Sequence, residues 1–489
     1  MDPNRCGSHL GNMFRSRIAL LLVVSLPLSA CAVGPNYAPP APAALGVPGS
    51  YSTPAPAGAP ADIQSWWTNF NDPELSAIVE RARAGNLDIA QAVSRLRQAH
   101  ESLIQSRAEL LPTVSGSAGY SRALFDNFGA RDNLSLGANV SYQADLFGGV
   151  RRGIEASRAT YQASGFNLAM VQTSIAAEAA RNYIIARQAQ ANLAIARNSL
   201  GIQDDNLEIT GFRVQAGLVS SLDVEQSRQQ RAQTAATIPS LEQNYQSAVN
   251  RLGVLTGQAP GALKAELEAT APIPRGPDSL AVGIPADALR QRPDVRAAER
   301  QLAAATAQIG VAKAQLYPAL NITGNIGTAA ASIGSLGSIV TGSLFAGLTQ
   351  LIFDGGRTRS RVRAQEDAAE GALANYKQVV LTGLEDVENA LTALQAAKER
   401  QKQFAIALDA SNNAAILSRS QYRAGLTDIT TLNANESALL SAQNGLSNAR
   451  ADQAQALVQL YLALGGGWDS NSVPQAPSQN PSAPQPHRE

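Results

Sequence analysis

Three short anchors occur twice in this chain of 489 residues, at a nearly constant separation. Pro112, in Ala108-Glu109-Leu110-Leu111-Pro112, recurs as Pro318 in Ala314-Gln315-Leu316-Tyr317-Pro318. Phe147-Gly148-Gly149 returns as Asp354-Gly355-Gly356, and Ala216-Gly217-Leu218 as Ala424-Gly425-Leu426, so the offsets are 206, 207 and 208. A register held over that distance marks a tandem duplication of one supersecondary design. Units of that kind bury their faces against copies of themselves, which points to an architectural or conduit role.

The duplication follows an export leader. Arg15 and Arg17 precede an apolar stretch, Ile18 to Leu28, that is too short to span a bilayer and is suited to a secretory h-region. Leu28-Ser29-Ala30-Cys31 resembles the bacterial lipobox, which implies a signal peptide over residues 1–30 and an acylated Cys31 as the mature N-terminus. Residues before Met13 are superfluous to such a leader. Ala32 stands where aspartate would mark inner-membrane retention, so the anchor is expected in the outer membrane.

Composition removes several classes of function. Of two cysteines, Cys6 falls in the leader and Cys31 is consumed by lipid, so no disulfide is expected. His9 is in the leader and His487 in a polar tail; His100 alone cannot build a multi-histidine metal centre. Neither a phosphate-binding G-x-x-x-x-G-K-[ST] loop nor a G-x-S-x-G nucleophile elbow is present, so an enzyme is not expected, and neither is any cofactor beyond lipid. Lys+Arg and Asp+Glu balance at 39 each, which offers no basic field to nucleic acid.

The domain plan is a lipidated tether at 31–62, a first repeat at 63–270, a second at 271–467 and a disordered tail at 468–489. The tether is rich in Ala, Pro and Gly, and the tail in Pro, Ser and Gln. Each repeat changes period twice. Asn86 to Leu111 reads as helix, stopped by Pro112. Asn133 to Leu146 alternates strictly, with Leu134, Leu136, Ala138, Val140, Tyr142, Ala144 and Leu146 on one face and polar or small residues on the other. Thr113 to about Leu124 is its expected hairpin partner, and the second repeat supplies Ala319 to about Ala329 and Val340 to Phe353. The facing of that second pair is ambiguous, because Phe345, Leu351 and Phe353 oppose Leu344, Leu348 and Ile352.

After each glycine pair, Ile154 to about Gly211 and Thr358 to about Ala424 contain no proline, long enough for helices of roughly 90 to 100 Å. In the first, Leu168, Gln172, Ile175, Ala179, Asn182, Ala186, Ala189, Leu193, Ala196 and Leu200 form a heptad seam, rich in small residues. A curved wall of helices and a two-stranded rope both fit that periodicity. The strands favour the wall: one face suits lipid and the other water, and open sheet edges cannot lie in hydrocarbon, so the strands must close into a barrel shared between chains. Four strands do not close, eight fill their own interior with side chains, and twelve leave a lumen.

Trp66-Trp67 with Phe70, Asp72-Pro73, Leu75 and Asn86-Leu87-Asp88 resemble the opening signature of the outer-membrane efflux factor lipoproteins, the TolC-like and OprM-like family. The glycine pairs, both Ala-Gly-Leu turns and Leu464-Gly465-Gly466-Gly467-Trp468 match as well, so the resemblance covers essentially the whole mature chain. It implies a mainly α protomer with four β-strands. Three protomers would form a twelve-stranded transmembrane β-barrel continuous with a periplasmic α-helical barrel. The implied partners are a periplasmic adaptor, an inner-membrane pump of the resistance-nodulation-division type and outer-membrane lipid, in a drug or toxic-compound exporter. A type I protein-secretion duct on the same fold and a non-conducting adaptor or coiled-coil lipoprotein are the alternatives.

The expected sites lie where the long helices reverse. Gly217, Leu218 and Ser220, and Gly425 and Leu426, have the composition of helix-ending turns. The resemblance makes the same residues the tips that dock the adaptor. Asp428 has two readings, as a cap for the next helix or as one of three carboxylates gating the axis, with Arg419 or Arg423 as countercharge; Asp204 and Asp205 are further gate candidates. At the other end of the chain, Cys31→Ser should abolish fatty-acid labelling and leave the precursor uncleaved or weakly retained; equal labelling of the variant would refute the anchor.

Overall fold

The computed structural model describes residues 32–53, 63–123, 131–277 and 280–475; Cys31 with the leader, part of the tether and positions 476–489 of the tail lie outside them. The duplication is exact in length for the three longer helices of each repeat. Helices α1 (Pro73–Gly85) and α2 (Leu87–Ala108) lead into strands β1 (Thr113–Ala123) and β2 (Arg131–Ala144), then α3 (Gly149–Gln215) and α4 (Ser221–Leu255). A short α5 (Lys264–Leu267) and α6 (Pro285–Gln291) precede the second course: α7 (Pro293–Ala314), β3 (Ala319–Ala330), β4 (Val340–Thr349), α8 (Arg357–Arg423) and α9 (Ile429–Ala463). Helices α2 and α7 have 22 residues each, α3 and α8 67, and α4 and α9 35, so the repeat preserves length as well as order. Among the described residues no helix is long and apolar enough to cross a membrane.

The chain divides into two compact units. The first comprises the described parts of Met1–Ala38, His100–Thr160 and Gln301–Ala372. Its centre is a four-stranded antiparallel sheet in sequence order, β1-β2-β3-β4. The register resolves the ambiguous facing. Residues directly opposed across a ladder share a face: Val114, Val140, Gly324 and Leu344 form one row, and Gly116, Ala138, Ile326 and Gly342 the next. Leu344 and Leu348 therefore lie on the apolar face with Leu320 and Ile322. The opposite face carries Ser115, Asn139, Asn325 and Ser343 in one row, and Phe345, opposite Thr323, is its large apolar exception.

Two expected strands are shorter than their periodicity suggested. Strand β4 ends at Thr349 rather than Phe353, and β2 at Ala144 rather than Leu146. Pro318 stops β4, because Ala319 pairs with Thr349 and the residue before it has no amide to extend that ladder, while β2 ends where Ala144 pairs with Leu320 and the chain turns at Asp145. Asp145 then caps α3, accepting from the amides of Val150 (3.2 Å) and Arg151 (3.0 Å), while Phe147 stacks on Tyr317 of the other repeat at 4.7 Å. The start of the tether is laid on this unit: Val33 donates its amide to the Phe147 carbonyl, and Arg152 reaches the Asn36 side chain at 2.6 Å.

The second unit comprises Pro39–Ala99, Tyr161–Arg300 and the described part of Leu373–Glu489. Trp66, Trp67 and Phe70 are fully buried, with Trp66 stacked on Tyr461 at 5.4 Å. Asp72 caps α1 through the amides of Glu74 (3.0 Å) and Leu75 (2.9 Å), and Pro73 fills the first helical position, where no amide partner is needed. Burial pushes the Tyr183 hydroxyl's pKa up, and this group donates to Asp72. Arg187, almost fully buried, pairs with Glu74 and donates to the Ala269 carbonyl at 2.8 Å, so α1, α3 and the chain leaving α5 meet on one guanidinium. The buried arc of α3 includes Ala176, Ala180, Tyr183 and Ile184 beside the expected seam. That arc is wider than a two-stranded rope requires, which sets the rope aside.

The repeats also share their caps. Asn86 donates Nδ2 to the Leu255 carbonyl at the end of α4 (3.0 Å) and accepts from the amides of Asp88 (2.8 Å) and Ile89 at the start of α2. At the equivalent place Arg292 donates to the Ala463 carbonyl at the end of α9 (2.8 Å) and pairs with Asp294 and Asp386. The tail assignment needs correction: Trp468 is buried, donates to the Gln291 carbonyl at 3.1 Å and packs edge-on against Phe166, and Arg296 holds the Ser470 carbonyl, so the chain is seated past position 468. Asn86→Ala should cost about 2 kcal/mol, from one lost helix cap and one orphaned carbonyl. An unchanged unfolding midpoint, with unchanged exchange of the Asp88 and Ile89 amides, would reject this role.

Candidate functional site

Both helix reversals end in the same hydrogen-bond pattern. At the end of α3 the Gly217 amide bonds the Val214 carbonyl (2.9 Å) and the Leu218 amide the Arg213 carbonyl (2.8 Å). At the end of α8 Gly425 bonds Tyr422 (3.0 Å) and Leu426 bonds Gln421 (2.8 Å). This is the Schellman arrangement, which needs a left-handed residue at the glycine; φ is 70° at Gly217 and 75° at Gly425. Open space surrounds Gly217, so the requirement there is backbone conformation alone. Leu218 and Leu426 stand out from these turns, 68% and 78% exposed. Ser220 starts α4 by accepting from the Leu222 amide at 3.0 Å, and Asp428 starts α9 by accepting from the Thr431 amide at 2.7 Å.

Two of the three gate candidates have local partners. The Thr431 amide, followed by its hydroxyl, holds the exposed Asp428 carboxyl below the usual carboxylate range, as expected for a cap. Asp204 pairs with Arg231 of α4, and Asp205 is an exposed residue of α3. Arg419, proposed as a countercharge to Asp428, is engaged elsewhere: it binds Glu436 through both carboxylate oxygens, one at 2.7 Å, and Glu436 is 4% exposed.

Sequence reasoning missed the lock between the two turns. Arg213 donates to the Tyr422 carbonyl at 2.6 Å and lies over the Tyr422 ring at 4.7 Å. The Tyr422 hydroxyl shares a 2.9 Å hydrogen bond with Thr210, and the ring is buried against Ile429, Leu432 and Ile209. The ends of α3 and α8, more than two hundred residues apart in sequence, are thus tied by a carbonyl, a ring face and a hydroxyl. The available signal was an aromatic three residues before one cap glycine and an arginine four before the other.

A four-stranded sheet with one apolar and one polar face, followed in each repeat by a very long helix and a sharp reversal, defines an outer-membrane duct of the efflux type. The chain belongs to the outer membrane efflux protein family, whose sequence profile matches residues 78–258 and 284–466. It is 32% identical over 457 residues to nodulation protein T of Rhizobium leguminosarum bv. trifolii, covering 91% of this chain and 96% of that one. It is equally 32% identical over 468 residues to the pyoverdine export outer membrane protein OpmQ of Pseudomonas putida, covering 92% and 98%. The solved outer-membrane channel OprN superposes with a TM-score of 0.82 at 33% identity, over 90% of this chain and 100% of that one. The protein is accordingly an efflux duct of the outer membrane that extends into the periplasm, in a family of channels rather than enzymes, and the adaptor reading is set aside.

The sign of the Asp428 effect is fixed by its depressed pKa. The ionised cap stabilises the start of α9 fully above the ordinary aspartate range, and this contribution fades only as pH falls through the lower folded value, below about pH 4. Exchange protection of the Thr431 amide, corrected for intrinsic rate, should therefore be flat near neutral pH, fall in acid, and be absent at every pH in Asp428→Ala. A pH-independent protection shared by wild type and variant would remove the cap.

Proposed function

We propose that three copies of this chain close one barrel and that the two exposed turns dock a periplasmic adaptor, which links the duct to an inner-membrane pump of the resistance-nodulation-division type. The observation that carries the reading is the sheet. Its outer strands, β1 and β4, have no partner on their far sides among the described residues, and its rows separate into an apolar and a polar face. Edges of that kind are tolerated in lipid only when paired. Three sheets give twelve strands, enough to leave a lumen lined by the serine and asparagine rows.

Acylation of Cys31 would add a second attachment to the same membrane, and no other cofactor is required by this reading. The exposed Leu218 and Leu426, each at the tip of a reversal, are the proposed contacts for the adaptor. Asp428 serves as the cap of α9 rather than as a gate, and the match to a relative named for pyoverdine export supports a small-molecule cargo over a secreted protein.

The turns supply the test. Gly217→Val together with Gly425→Val forces a β-branched residue into the left-handed region at both tips, at about 1–2 kcal/mol each. Trimer and bilayer conductance should persist, while dye efflux falls toward that of cells lacking the duct and adaptor crosslinking is lost. Efflux and crosslinking at wild-type levels would refute the docking assignment, and a monodisperse monomer with a complete barrel would refute the assembly.

A further inference from the structure

A cavity of about 630 Å³ lies within the second unit, beneath the strap formed by residues 39–47. Pro40, Pro42 and Leu45 roof it, where the turn Pro42–Leu45 ends on a left-handed Gly46. Phe166 of α3, Leu289 of α6 and Val380 of α8 form buried apolar walls. The strap is held further along, because the amides of Ser52 and Thr53 both donate to the Glu388 carboxylate of α8, at 2.6 and 3.0 Å. Size and apolar lining match those of small-molecule sites.

The charged groups on the remaining wall do not balance. Arg290 is matched by Asp287 at 3.0 Å, and Arg300 by Glu299. Arg296 donates Nε to the Arg290 carbonyl (2.8 Å) and Nη1 to the Ser470 carbonyl (2.7 Å), and it lies 5.7 Å from the Phe166 ring and 5.4 Å from the Trp468 ring. Among the described residues it has no carboxylate within ion-pair distance, and Nη2 donates to nothing. Burial lowers its pKa, the mark of a desolvated cation; the Glu299 carboxylate on the same wall, beyond ion-pair distance, raises it and only partly offsets this. A guanidinium stays charged near neutral pH, and such a charge at the edge of an apolar cavity is stabilised by an anion that brings its own apolar body.

We infer that this cavity binds a small amphipathic anion, with an apolar or aromatic body under the strap and one carboxylate or sulfonate on Arg296. The inference does not depend on the assembly or docking proposed above. A planar guanidinium can give an oxyanion two parallel hydrogen bonds, which a neutral alcohol of the same shape cannot receive.

Equilibrium dialysis tests this with the full-length protein in phosphatidylcholine nanodiscs, empty nanodiscs as the blank, and naphthalene-2-sulfonate and naphthalene-2-methanol as probes. Wild type should bind the sulfonate saturably, at about one per chain and at least about tenfold more tightly than the alcohol. Arg296→Gln should remove that preference and leave alcohol binding unchanged. Val380→Trp, which fills the cavity from α8 without touching Arg296's hydrogen bonds, should abolish binding of both. Wild-type protein that takes up no more than empty nanodiscs, as when a neighbouring chain fills the cavity, overturns the inference, and so does equal sulfonate affinity in wild type and Arg296→Gln. If Arg296→Gln fails to fold, Val380→Trp decides alone: undiminished sulfonate binding overturns the site, and lost binding sustains it.

Discussion

A hydrogen-bonded ladder cannot run through a residue without an amide, and a sheet with one apolar face cannot be left alone in water or in lipid. Pro318 imposes the first condition on β4, because the residue that would pair beyond Thr349 meets a position with no donor. The second condition follows from the rows themselves. Val114, Val140 and Leu344 cannot be wetted cheaply while Ser115, Asn139 and Ser343 are buried, so the sheet needs two different solvents and a partner on each edge. The helices start from those strand ends: α3 is capped by Asp145, immediately after β2, and α8 by Asp354, five residues after the last residue of β4.

Much of this was legible in the sequence because it rests on period and punctuation. Alternation located β2, prolines and glycines located the boundaries, and the repeat offset tied the halves together. Two things resisted. The facing of β3 and β4 could not be settled, since both parities of β4 hold large apolar residues; only the pairing of Leu344 with Gly324 and of Phe345 with Thr323 decides it. The other was chemistry between distant positions. Nothing in a local window links Arg213 to Tyr422 or Arg187 to Ala269, and the polar sequence that follows Trp468 gives no sign of its slot against Phe166 and the Gln291 carbonyl.

The duplication conserves jobs more strictly than residues. Asn86 and Arg292 differ in size and charge, yet each satisfies the carbonyl that ends the closing helix of its own repeat. Asn86 does so with a short amide that also caps α2. Arg292 reaches farther and brings a charge, which Asp294 and Asp386 neutralise. Ser220 and Asp428 repeat the pattern at the turns, a hydroxyl in one half and a carboxylate in the other. Copies freed to diverge have kept the hydrogen bond and changed the atom that makes it.

The equal lengths of α3 and α8 carry a consequence for how such a chain can change. Both helices run 67 residues between an aspartate cap and a Schellman turn, and their far ends are tied through Arg213, Tyr422 and Thr210. Removing one residue from α3 would turn everything beyond it by about 100° and draw it back about 1.5 Å, carrying Arg213 away from the Tyr422 ring. No compensating shift within the same helix restores both rotation and height. Changes of length are therefore confined to steps near whole heptads taken by both repeats at once, and single insertions should be tolerated in the loops but not anywhere along these two helices.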